Sequence, residues 1–223
     1  MSDYPKLGEM VKERLAEVFA LTKEDLGPDA RLSKKGMTFT TEGYKVEGLG
    51  HLCIMKMNAM MGMMKMETVV LSVTEKDLPL FNLDWVSAMG KETQMAELYD
   101  TQLEPLTEEA LAGFQVIKDR DSELPDYSSG SAHWYDDILY PCSYAKTGKG
   151  FSNRMNAAAQ DYLDQYMELV KAAPDCDAEL KRAKVGYFAN TLFTEGGPAV
   201  DQVKNLFGDE IAGRLILKHM YGI

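Results

Sequence analysis

The chain has 223 residues, 45% of them hydrophobic and 26% charged, which suits one large domain or two small ones with a core that needs no disulfide staples. Its formal net charge of −11 argues against nucleic acid and against an anionic membrane as partners, and no run of about 18 apolar residues offers a transmembrane helix. Cys53, Cys142 and Cys176 are odd in number and far apart, so they predict a reducing, cytoplasmic setting, with no disulfide framework and no metal spacing.

The N-terminal segment is amphipathic and charged, unlike a secretory signal. Ser2 and Asp3 followed by Pro5 mark a helix start, and Leu7, Met10, Val11, Leu15, Val18 and Phe19 recur at helical spacing, which predicts a helix over 5–20. Met37–Thr41 and Tyr44–Leu49, joined by Glu42-Gly43, read as a hairpin. The stretch from His51 to Asp100 then gives three apolar runs, Leu52–Met57, Met63–Val73 and Gln94–Tyr99, with turn residues at 58–62 and 90–92. Between the last two lies the apolar block Asp77–Asp84, which ends on a carboxylate.

After Pro105, Thr107 predicts a helix N-cap with Glu108 and Glu109 in the first turn, and Leu111, Phe114, Val116 and Ile117 as its apolar side. Residues 119–132 are polar and turn-rich, a surface loop. His133–Tyr140 reads as a short helix leading to a strand at 140–144. Residues 146–150 read as a basic glycine-bearing loop running into a helix capped by Ser152, with Met155, Tyr162, Leu163, Tyr166, Met167 and Val170 inward. Further helices are expected over 177–193, with Leu180, Tyr187, Phe188 and Leu192 inward, and over 199–206 and 209–220. Strands first and helices after predict one α+β domain over 1–223, an antiparallel sheet with helices packed on its faces.

Three constellations carry chemistry. Seven of the 15 methionines fall between Met55 and Met66. Met55 and Met57 share one strand face, as do Met64 and Met66, and flexible thioethers suit either core filling or the floor of a flat apolar ligand site. Glu67, Asp84 and Asp100 end or follow apolar runs, and a buried carboxyl raised in pKa can donate a proton near neutrality. Lys146, Lys149 and Arg154, around a helix start, could hold an anionic group. The three histidines show no metal spacing, and no hydrolase, P-loop or dinucleotide motif is present.

Leu78-Pro79-Leu80-Phe81, with Asp84 three residues on, resembles the LPLFGxD motif of the ferredoxin-dependent bilin reductases, and most of all the phycocyanobilin:ferredoxin oxidoreductase branch. Tyr99-Asp100, His133-Trp134-Tyr135, and Tyr187 followed by Phe207-Gly208-Asp209-Glu210 resemble further family segments in the same order, over most of 37–223. The resemblance implies an α/β/α sandwich that holds a linear tetrapyrrole such as biliverdin between the sheet and the C-terminal helices. It implies one-electron delivery from ferredoxin or flavodoxin, no bound cofactor or metal, and Asp84 as proton donor. An ungapped match places Glu67 where that branch carries a catalytic His, and Glu195 near a family Asp. Met55, Met57, Met64, Met66 and Phe81 would line the substrate, with Lys146, Lys149 or Arg154 on its propionates. A local basic patch of Lys146, Lys149, Lys181, Arg182 and Lys184 would receive the donor. The alternative is a tetrapyrrole carrier on the same fold that performs no reduction.

Overall fold

The computed structural model describes residues 4–223, so Ser2 and Asp3, read as part of a helix-start signal, lie outside the described residues. Eight antiparallel strands form one sheet: β1 (Leu21–Lys23), β2 (Arg31–Lys34), β3 (Met37–Val46), β4 (Gly50–Ala59), β5 (Met64–Val73), β6 (Leu80–Ala88), β7 (Lys91–Tyr99) and β8 (Tyr144–Gly148). The order is β1-β3-β4-β5-β6-β7-β8, with β2 also pairing β3. One layer holds α1 (Leu7–Ala16), α2 (Glu108–Arg120) and α3 (Ser152–Ala172), and the other holds α4 (Ala178–Glu195), α5 (Pro198–Phe207) and α6 (Asp209–Gly213), which continues as a wider π-turn over Arg214–Met220. The expected helix/sheet/helix sandwich is therefore present. No helix of the described residues is long and apolar enough to cross a membrane.

The central strands carry apolar residues on both sides because helices pack against both. On β6, Phe81, Leu83 and Trp85 enter the core beneath α1 and α3, whereas Leu80 enters the core beneath the C-terminal helices. Successive side chains alternate faces, so Asn82 and Asp84 project with Leu80. Tyr166 of α3 fixes this strand twice over. Its ring stacks on Phe81 with centroids 4.5 Å apart, and its hydroxyl donates to the Pro79 carbonyl at 2.7 Å. Phe81→Ala is expected to cost about 3–5 kcal/mol of stability, measured by denaturant unfolding, because a fully buried ring is replaced by a cavity.

Several local expectations are corrected. Glu42-Gly43 lies inside β3 rather than in a turn. At Gly43 a Cβ would meet Glu24 Oε2 at 2.9 Å and Leu26 Cδ2 at 3.3 Å, so a larger residue there would displace the Glu24 carboxylate. Residues 144–148, read partly as a loop, form edge strand β8, and the short helix over 134–138 leads into it through a tight turn. Val116, Leu180 and Tyr187 are exposed rather than inward, and Ser152 starts α3 without a capping bond. Thr107 does cap α2, accepting from the Ala110 N–H at 3.2 Å.

Candidate active site

The side of the sheet beneath α4–α6 is only partly covered. Met64, Met66, Asp84, Val86, Met95 and Glu97 stay half-buried there, on three neighbouring strands. Register makes them one surface: Met66 sits opposite Val86, Thr68 opposite Asp84, Asn82 opposite Glu97 and Asp84 opposite Met95. Met55 pairs with Thr68 and Met57 with Met66, so the four predicted methionines share this side with Asp84.

Polar groups converge at its centre. Asn82 Nδ2 donates to Asp84 Oδ2 at 2.5 Å and to Glu97 Oε2 at 2.9 Å, linking the two carboxyls through one amide. Thr68 donates to Asp84 Oδ1, and Tyr99 OH donates to Glu97 Oε2 at 2.9 Å. Burial raises the Asp84 carboxyl above the ordinary range, with the Thr68 and Asn82 bonds pulling the other way. Burial, and then the nearby Asp84 charge, push Glu97 up to about 7. Two acids in one amide-bridged cluster, one near neutrality, can hold and release protons beside a bound molecule.

Aromatic groups wall this centre. Tyr99 meets Tyr135 edge-on at 6.1 Å and Phe188 at 5.1 Å, and Tyr221 lies 5.6 Å from Phe188. Tyr135 rides on the short helix Trp134–Ile138, stacked with His133 at 4.9 Å. Trp134 Nε1 is buried without a protein acceptor, although its ring packs on Phe188 at 5.5 Å. Such a donor is costly to leave unpaired and suits a ligand acceptor.

Other sequence-derived candidates lie elsewhere. Glu67 projects from the opposite side of the sheet, because its cross-strand partner is Trp85 and not Asp84. It is fully buried, accepts from the Gly8 N–H at 3.1 Å and lies 3.5 Å from Lys56 Nζ. Its position is that of a cap for the N-terminus of α1. Glu67→Ala is expected to lower stability by about 1–3 kcal/mol while leaving pigment affinity unchanged, which thermal unfolding and an absorbance titration would check together.

Phe81 likewise belongs to the α3 core. Lys146 is buried and donates to the Leu124 carbonyl at 3.1 Å and to Asp126 at 2.7 Å. Arg154 binds Asp121 and Glu123, and Glu195 is exposed at the end of α4. Lys149 is exposed beyond β8. The structure thus gathers neither the propionate set nor Glu195 at the acid cluster. Of the expected basic docking patch, Lys181 is fully buried on the Thr101 carbonyl at 2.7 Å and Lys184 pairs with Asp100 at 3.2 Å, whereas Lys149 and Arg182 are exposed. Asp100 is therefore outside the cluster. Among the described residues no group of three or more His, Cys, Asp or Glu could hold a metal.

Residues missed by sequence reading are Asn82, Glu97, Thr68 and the tyrosines. The available signal was Glu97 standing between Met95 and Tyr99 on one side of the strand's apolar second half.

No protein-family model and no curated protein sequence matches the chain. A solved structure does. Phytochromobilin synthase from tomato, in complex with biliverdin, superposes with a TM-score of 0.75, covering 99% of this chain and 83% of its own, at 14% identity. The two chains share a fold.

Proposed function

We propose that this protein is a reductase of a linear tetrapyrrole, bound against the methionine-lined side of the sheet beneath the C-terminal helices. The observation that carries this reading is the Asp84–Asn82–Glu97 cluster at the centre of a half-open apolar floor. Support comes from the shared fold with a synthase whose structure holds biliverdin. Fold alone does not fix activity, so the site chemistry bears the weight.

Saturating one double bond of an open-chain pigment consumes two electrons and two protons. The electrons come from an external one-electron donor such as ferredoxin or flavodoxin. The protons come from Asp84, whose carboxyl burial keeps protonated to higher pH, and from Glu97, which Asn82 ties to it. Thr68 and Asn82 fix the Asp84 rotamer, and flexible methionines adapt to the face of an open-chain pigment.

The test is anaerobic incubation of the biliverdin-loaded protein with reduced ferredoxin, followed by absorbance and product chromatography. Conversion of the pigment is expected. A pigment that stays bound and unreduced would contradict the reductase and leave a carrier.

A further inference from the structure

The strands place four turns at one end of the sheet: residues 35–36 between β2 and β3, 60–63 between β4 and β5, 89–90 between β6 and β7, and 149–150 after β8. Segments 31–36, 60–63, 88–91 and 147–150 hold five Lys or Arg and no acid, in a chain whose net charge is −11. Arg31, Lys34, Lys35, Lys91 and Lys149 are all exposed, and among the described residues none of the five makes an ion pair. Elsewhere on the molecule ion-paired cations are common.

The same end projects methionines into solvent. Met61 is 93% exposed and Met89 78%, with Met60 and Met63 about half exposed. Met60, Met61 and Met89 have φ of 51°, 54° and 50°, the left-handed region that favours Gly or Asn. Large apolar side chains on that backbone, held in water, serve neither the turn nor the core. Beside them, on the α1 side of the sheet, a cleft of about 500 Å³ is lined by Arg31, Lys56, Thr38 and Asn58, with Met61 at its rim.

We propose that this end of the sheet docks on an anionic phospholipid surface. The methionines enter the headgroup boundary, the five cations meet the surface charge, and the cleft takes one phosphate-bearing headgroup. Flexible apolar tips interspersed with cations match the chemistry of interfacial binding. The overall negative charge does not oppose this, because at physiological salt charges farther than about 8 Å from the surface are largely screened. An acidic protein would meet the same cations, but separate protruding tips give it no continuous apolar face to cover.

The test is co-sedimentation of the full chain with phosphatidylcholine vesicles, with and without phosphatidylserine. Binding is expected only with phosphatidylserine, falling at least about tenfold in Lys34→Glu/Lys35→Glu and in Met61→Asp/Met89→Asp. All four positions are exposed, and circular dichroism would establish that the variants fold. Absence of binding to phosphatidylserine vesicles, or binding that either double variant leaves unchanged, would overturn the proposal. So would loss of vesicle binding together with salt-sensitive retention on an immobilised acidic protein. Pigment binding by the same variants is expected to be intact, so failure here is distinguishable from failure of the reductase reading.

Discussion

Asp84→Asn is expected to bind biliverdin about as tightly as the unaltered chain and to reduce it roughly 10²–10⁴-fold more slowly, the range lost when a positioned acid is removed. The side chain keeps its shape; its oxygen still accepts from Asn82, while its new amide N–H group reverses the other contact and donates to the Thr68 hydroxyl. What it loses is an acidic proton at the point where a pigment nitrogen or carbon would receive it. Electron delivery does not depend on that proton, so the one-electron-reduced pigment is expected to accumulate. Stopped-flow absorbance and electron paramagnetic resonance would record it. An unchanged rate would remove Asp84 from the chemistry.

Glu97→Gln is expected to stabilise the fold at alkaline pH and to alter the pH profile of reduction. The sign follows from the raised carboxyl. With its pKa at about 7 when folded and about 4.3 when unfolded, Glu97 is protonated in the native state over a window where the unfolded chain has released that proton. Stability therefore falls as pH rises through this window, and the cost of the buried charge is fully present above about 7. Because solvent partly reaches the side chain, the gain on substitution is about 1–2 kcal/mol at about pH 8 rather than the full linkage value. That corresponds to roughly 2–8 °C in Tm for a chain of this size. In the unaltered protein the reduction rate is expected to fall above about pH 7 as Glu97 loses its proton. In the variant that limb disappears and the maximal rate drops. Thermal unfolding across pH, with rates over the same range, checks both. A melting temperature that depends on pH identically in the two proteins would contradict the assignment.

The layers of the fold were legible because apolar runs and helical spacing report burial directly. Asp84 was legible as a carboxylate closing an apolar block. Its partner was not. Choosing between Glu67 and Glu97 requires the register of β5, β6 and β7, and a one-residue difference sends a side chain to the other side of the sheet. Glu67 falls opposite Trp85 and so lies under α1, while Glu97 falls opposite Asn82 and so meets Asp84. Counting by two along β6 already separates Phe81 from Asp84. Lys146 and Arg154 could not be excluded from sequence, because the carboxylates that capture them, Asp126, Asp121 and Glu123, come from a loop that spacing leaves unplaced. The hairpin end shows the limit of net charge as a guide, since −11 is a sum over the chain and says nothing about where five exposed cations collect.

The central claim, that the acid-centred side of the sheet receives a linear tetrapyrrole, is tested most directly by an absorbance titration of the purified protein with biliverdin. A saturable, one-to-one spectral shift that Met66→Asp abolishes and Glu67→Ala preserves is the predicted result. No saturable shift, or one that Met66→Asp leaves untouched, would contradict it.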